Sequence, residues 1–272
     1  ALPIFATAIV MPMTGFLASR FGRRWTFFSA VIGFTLASMA CGASQTIEQI
    51  VIFRMIQGAM GGFIVPLSMA ILLEIYPKEK IGVAMSAWGM GVAVGPAFGT
   101  AIGGYLTEYI NWRWCFYVNV PVGIAAAIGI FMLLPESKKD RSIEFDLLGF
   151  ALLATAIGSL QLMIDRGTTL DWFASREIVI EAAVSTLALY AFIVHMFTSP
   201  RPFLTPAVFA DFNFVIGLVL IFVSGAVSFA AIVSAPVMMQ NLLGYPVLTT
   251  GTLSMSRGMG TFLVMGLSSY AV

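Results

Sequence analysis

Long apolar runs separated by short polar connections make up almost the whole chain. They fall at about 1–18, 26–44, 49–75, 81–107, 115–134, 147–164, 177–197, 213–235 and 248–272. Each run is continuously apolar rather than alternating with period two, so the pattern predicts helices and argues against a membrane β-barrel. About 20 apolar residues make a helix of roughly 30 Å, the thickness of a bilayer's hydrocarbon core. Short connections predict antiparallel neighbours. The expected fold class is all-α: a polytopic membrane helix bundle with about nine spans.

The run 81–107 carries the clearest internal pattern. Gly91, Gly95, Gly99 and Gly103 each follow the last by four residues, Pro96 sits among them, and no charge occurs between Lys80 and Glu108. Small residues at this spacing leave a smooth helix face, and close backbone approach supplies much of the packing between helices in lipid. Pro96 cannot donate to the carbonyl of Val92 and its ring crowds that turn, so a bend is expected. Such a helix serves either as a static packing element or as a hinge seam between two bodies that rock on each other. A leucine at Gly95 is expected to jam that seam.

Composition fixes the class. Hydrophobic residues are 59% and charged residues 10% of 272, with mean hydropathy +0.96; a soluble domain has about 25% charged residues. A net charge of +1 without a basic tail gives nucleic acid nothing to recognise. Cys41 and Cys115 lie at segment ends on one side, as two free thiols or, alternatively, a disulfide. The chain starts at Ala1 within one apolar run, ends within another, and has no signal-peptide pattern. An internal piece of a longer protein is expected.

Charge sets orientation. Arg20, Arg23, Arg24, Lys78, Lys80, Lys138, Lys139, Arg141 and Arg201 fall in connections on one side. Arg113, Arg166 and Arg176 fall on the other. By the positive-inside rule the first side is cytoplasmic. The charged stretch 135–146 reads as a boundary: Pro135 ends a helix, and Asp146 is placed to cap the next. The stretch 199–211, with three prolines, reads as a second linker. The expected domains are 1–134, a first bundle; 135–198, a linker with an inserted helix pair; and 199–272, a linker and the start of a second bundle.

Several positions could carry function. In GFLASRFGRRW, Gly15 permits close approach and Gly22 supplies the left-handed residue of a tight turn. Arg20, Arg23 and Arg24 then either latch a gate by pairing with acids and helix C-termini or simply anchor the loop. Arg54 lies about six residues, on the order of 9 Å, inside its span, at a cost of roughly 2.5–3.5 kcal/mol. Gln57, Gly58 and Gly61 share its face, so that face is expected to look into the bundle rather than snorkel outward. Asn119, Gln161 and Arg257 could line a substrate cavity; helix-to-helix hydrogen bonds or, for Arg257, snorkelling are the alternatives. Glu74, Glu108, Asp165, Glu177 and Glu181 sit near segment ends, with Glu74 and Glu181 the deepest. His195 reads as an interface residue. Sixteen methionines suit either a forgiving pocket or a lipid-facing surface.

The absences matter too. No P-loop, dinucleotide fingerprint or metal-ligand spacing occurs, so no cofactor, no metal and no enzyme activity are expected.

Taken together these motifs resemble the major facilitator superfamily. GFLASRFGRRW is similar to its signature loop between the second and third spans, FRMIQG (53–58) to its fourth-span R-x-x-Q-G, and GMGVAVGPAFG (89–99) to the fifth-span antiporter motif of exporters. WRWCFYVNVPVG (112–123) and FDLLG (145–149) resemble stretches of the fourteen-spanner drug:proton antiporters of EmrB type, with this chain as spans two to ten. One departure is Ser19, where the superfamily loop usually has an aspartate; the charge relay of that aspartate is not carried over.

The resemblance implies proton-coupled efflux of small amphipathic compounds across the inner membrane by alternating access. It also implies a proton-coupling role for Arg54 and Gln57, and a titrating carboxylate that precedes Ala1. The implied partners are lipid, amphipathic substrates, protons, and a periplasmic adaptor protein with an outer-membrane channel. The rival readings are an importer or facilitator of the same fold and a non-transporting membrane scaffold.

Overall fold

The computed structural model describes residues 2–268 apart from Lys138, Arg141 and Ile143, and excludes the side chains of Leu2, Pro96, Ala97 and Ser268. The described secondary structure is helical. The helices are α1 (Leu2–Val10), α2 (Thr14–Phe21), α3 (Arg23–Ala43), α4 (Ile47–Ile75), α5 (Ile81–Tyr109), α6 (Trp114–Tyr117), α7 (Asn119–Leu133), α8 (Leu147–Gly167), α9 (Arg176–Thr198), α10 (Phe212–Asn241) and α11 (Val247–Ser268).

Eight stretches among the described residues are long and apolar enough to cross a membrane, from Pro3–Phe21 through Phe212–Asn241. The protein is therefore a multi-pass membrane protein. The ninth expected span, α11, is helical over 22 residues. Its threonines, serines and Arg257 leave it less apolar than the others.

Local chemistry explains the boundaries. Pro12 interrupts the first span with a 3-10 turn at Met11–Met13. Thr46 accepts the Gln49 N–H at 3.3 Å while the Gln49 side chain accepts from the Gln45 N–H at 2.8 Å, a reciprocal cap that starts α4. Asp146 caps α8 as expected, accepting the Gly149 N–H at 2.9 Å.

The chain forms two compact units. The first comprises Ala1–Ala37, Gln45–Leu67 and Gly123–Val215. Its core holds Ala18, Ala30, Phe63 and Leu67, with Val31, Ala127 and Ile130 as a second cluster. There α8 and α9 lie side by side, and the Ser185 hydroxyl donates to the Ala156 carbonyl at 2.9 Å. The second unit comprises Ser38–Ser44, Ser68–Val122 and Ile216–Val272. Its main packing is α5 on α11.

These units do not follow the breaks expected after residues 134 and 198. Both linkers and the inserted pair belong to the first unit, while 68–122 goes with 216–272. The reason is geometric. Helices of 15 to 30 residues such as α3, α4, α7 and α10 run through both units, so lateral packing, not chain order, defines compactness.

Candidate functional site

The polar face of α4 is built by helical spacing. Arg54 is half-buried seven residues into α4, about 10 Å along its axis. Its guanidinium Nη1 donates to Gln57 Oε1 at 3.3 Å, and Gln57 is only 5% exposed. One turn along, the Gly58 carbonyl accepts the Thr7 hydroxyl at 2.7 Å.

Gly58 and Gly62 let α1 come very close. A Cβ at Gly58 would lie 2.2 Å from the Pro3 carbonyl oxygen, and one at Gly62 would lie 3.0 Å from that of Thr7. This pair spaced by four is the small-residue seam of the first unit. Gly61 faces Phe34 at ordinary contact distance. The expected inward face is thus placed against α1, with a buried amide beside a half-buried cation.

The loop between α2 and α3 is ordered by the segment that follows α7. Gly22 has φ +91° and ψ 145°, so its positive φ is as expected, but the backbone is extended rather than left-handed helical. The Gly22 carbonyl accepts both the backbone N–H and the hydroxyl of Thr26. The Arg23 N–H donates to Ser137 Oγ at 2.8 Å.

Arg24 donates to the Phe131 carbonyl, in the last turn of α7, at 2.5 Å and stacks 4.7 Å over the Phe131 ring. A cation on a helix C-terminus satisfies an orphan carbonyl and opposes the dipole. Arg20 lies over the Phe16 ring at 5.7 Å. The Ser19 carbonyl accepts the Asp140 N–H at 3.0 Å. Gly15 has open space around it.

The glycine ladder is different from expectation. Among the described residues, a Cβ at Gly91, Gly95, Gly99 or Gly103 would meet no atom within 4 Å. The close packing of α5 uses the neighbouring face: a Cβ at Gly251 of α11 would lie 2.7 Å from the Thr100 carbonyl oxygen, and one at Gly104 3.3 Å from that of Val247. Thr100 and Gly104 each follow a ladder glycine by one residue, about 100° around the helix. Among the described residues the ladder face thus has no neighbour at contact distance, and a leucine at Gly95 would meet none of them there. The helix continues through position 96, and the Pro96 side chain lies outside the described residues.

Two of the three cavity positions make helix-to-helix bonds. The Asn119 amide donates to Ser38 Oγ at 3.1 Å, and Ser38, fully buried, donates to the Phe116 carbonyl at 2.9 Å. Arg257, exposed on α11, donates to the Ser228 carbonyl of α10 at 3.2 Å. Gln161 is half-buried on α8. Glu177 pairs with Arg166 at the end of the α8–α9 connection. One carboxyl oxygen of Glu181 is buried with no hydrogen-bond partner among the described residues. Cys41 and Cys115 are both thiols, not joined in a disulfide.

Asp146 gathers several groups. Besides capping α8, it accepts the Phe203 N–H at 2.9 Å, and His195 Nε2 lies 2.9 Å from each of its oxygens. Burial pushes this carboxyl up, but the Gly149 and Phe203 N–H groups and the His195 ring outweigh it and hold the carboxyl below its usual value. A depressed carboxyl contributes stability above its unfolded value of roughly 3.9 and loses it as pH falls through the lower folded value. The Asp146 bonds should therefore persist unchanged from about pH 5 to 8 and fail only in stronger acid. Amide exchange at Phe203 followed against pH, corrected for the intrinsic rate, checks this; a break near neutrality would contradict it.

The family model of the major facilitator superfamily matches residues 1–272. The chain belongs to the major facilitator superfamily. Within it, the chain is 39% identical over 255 residues to the multidrug export protein EmrB of Escherichia coli K12, covering 93% of this chain and 50% of that protein. It is 34% identical to EmrB of Haemophilus influenzae, over 95% and 51% of the two chains. With the fatty acid resistance protein FarB of Neisseria gonorrhoeae it shares 35% identity over 88% and 48%. The chain spans about half the length of these relatives.

This major facilitator chain also has ordering residues that sequence reasoning passed over. Arg113 donates to the carbonyls of Gly42 and Ser44 at 2.7 and 2.6 Å and lies 4.9 Å over the Trp112 ring, so it closes the C-terminus of α3. Its chain neighbours gave no signal of that partner, 71 residues away. Gly62 was legible: it follows Gly58 by four residues.

Proposed function

We propose that the protein carrying this chain is a proton-coupled exporter of small amphipathic compounds in the inner membrane, working by alternating access. The supporting observation is the 39% identity, over 93% of the chain, to a multidrug export protein. The part-buried pairing of Arg54 with Gln57 fits the reading: an arginine held within a span favours the charged form of a nearby carboxylate and so tunes proton uptake. In this reading Arg20, Arg23 and Arg24 hold the cytoplasmic loop, and the open face at Gly91, Gly95, Gly99 and Gly103 is the surface that moves. Asn119, Gln161 and Arg257 are each candidates for contact with substrate on this reading. A periplasmic adaptor and an outer-membrane channel would carry the substrate onward.

The test uses the full-length protein in everted membrane vesicles with an amphipathic fluorescent dye. An exporter accumulates dye when the lumen is acidified, and dye entry moves protons out. Dye equilibration in vesicles of either orientation, without proton movement, would replace export by facilitated diffusion.

A further inference from the structure

We propose that Asp146 is a positioning residue that pins the 199–211 linker to α8 and, through its neighbour Phe145, to α2. Helix capping needs one acceptor oxygen. Asp146 uses both: Oδ1 takes the Gly149 N–H and Oδ2 takes the Phe203 N–H, from a residue 57 positions along the chain. The side chain is 11% exposed, so these bonds are shielded from competing water.

The ring of His195, one turn before the end of α9, closes the arrangement from the other side. The linker therefore meets α8 and α9 at a single carboxylate.

Aromatic packing extends the pin. Phe145 lies against Phe16 of α2 at 4.6 Å between ring centroids, the rings tilted by 42°, and lies 5.4 Å from Phe150 and 6.0 Å from Phe203. Phe150 and Phe203 are also 6.0 Å apart. Such pairs prefer definite geometries and resist sliding. Arg201 and Glu144 add an exposed ion pair at 2.7 Å, which by itself contributes little.

The linker sequence suits docking. Pro200 and Pro202 have no N–H and restrict the backbone beforehand, so less entropy is lost when the segment is held. Phe203 is the next residue able to donate.

The consequence is mechanical. Phe16 lies on the helix that leads into the Gly22–Arg24 turn, and the linker leads into α10. Both rest on residues 145 and 146. A displacement of α2 that keeps this packing must carry the linker with it. On the transport reading above, the inserted helix pair is then a working connection between the gate loop and the segment entering α10.

Asp146→Asn separates the pin from the cap. Asparagine is a good cap, but it offers one acceptor oxygen, and its amide would face the Phe203 N–H donor to donor. Hydrogen exchange resolved to single amides, on the full-length protein in lipid nanodiscs, reads both. The expected result is exchange at Phe203 faster by about tenfold or more, with α8 amides unchanged. Asp146→Ala should loosen Gly149 as well. Unaltered Phe203 exchange in Asp146→Asn overturns the pin.

Dye transport by the same variant reads the mechanical role. A turnover lowered severalfold with unchanged KM is expected. Fast Phe203 exchange with wild-type turnover would overturn positioning in the cycle. Wild-type protein that moves no dye would sink the transport reading instead, and the exchange result alone would then decide the pin.

Discussion

Arg54→Ala in the full-length protein is expected to lower proton-driven dye accumulation by about 5- to 150-fold, the usual range of coupling between two sites. The expectation rests on cost. A charge held about 10 Å inside a span is costly to bury, and the half-buried guanidinium lies there beside Gln57, donating to its Oε1 at 3.3 Å. Removing the side chain takes a hydrogen bond from Gln57, a loss of about 0.5–1.5 kcal/mol, which is small beside the expected loss of coupling. The two readouts therefore diverge: flux falls many-fold while the melting temperature drops only slightly. Arg54→Lys keeps the charge but loses the planar fork, so an intermediate flux is expected. Undiminished accumulation in Arg54→Ala would remove this residue from the coupling mechanism.

Gly58→Leu should have the largest effect on folding. The obstacle to a side chain at this position is backbone: the Pro3 carbonyl oxygen, Cα and carbonyl carbon lie 2.2, 2.7 and 2.8 Å from an added Cβ. Backbone atoms cannot rotate aside, so α1 as a whole must move off α4. That movement breaks the Thr7–Gly58 hydrogen bond and opens the approach at Gly62. Overpacking costs about 1–3 kcal/mol, and a lost hydrogen bond about 0.5–1.5 kcal/mol. Leucine's better helix propensity returns at most about 1 kcal/mol. A clearly lowered melting temperature in detergent is expected, with Gly91→Leu as the matched control, since that position has open space. Equal melting of the two variants would contradict the seam between α1 and α4.

The helices were largely readable from hydropathy because a bilayer demands a long apolar run for each crossing. The segment expected at 81–107 became α5 at Ile81–Tyr109, and 177–197 became α9 at Arg176–Thr198. Capping was equally local: Asp146 lies directly before its helix, and its oxygen meets an N–H three residues on. The face shared by Arg54, Gln57 and Gly58 followed from spacing alone.

Partner choice was not readable. Two sets of glycines carry the same four-residue spacing, and composition does not rank them. The Gly58–Gly62 pair became a seam because α1 lies against it, whereas the longer ladder on α5 meets no neighbour among the described residues and α11 packs one residue further round. Asn119 was placed as a cavity candidate, yet its amide is bonded to Ser38, 81 positions away.

The sequence by itself determined what this protein must do with its backbone: fold into apolar helices of membrane length, with charged turns and a costly arginine among them. Those features answer to the solvent, which acts on each segment separately. Only the tertiary structure decided which helix faces meet, which glycines are filled against a neighbour, and that one carboxylate ties α8 to a linker 57 residues on. Those features depend on the position of a second segment, and short-range pattern along a chain holds no record of distance in space.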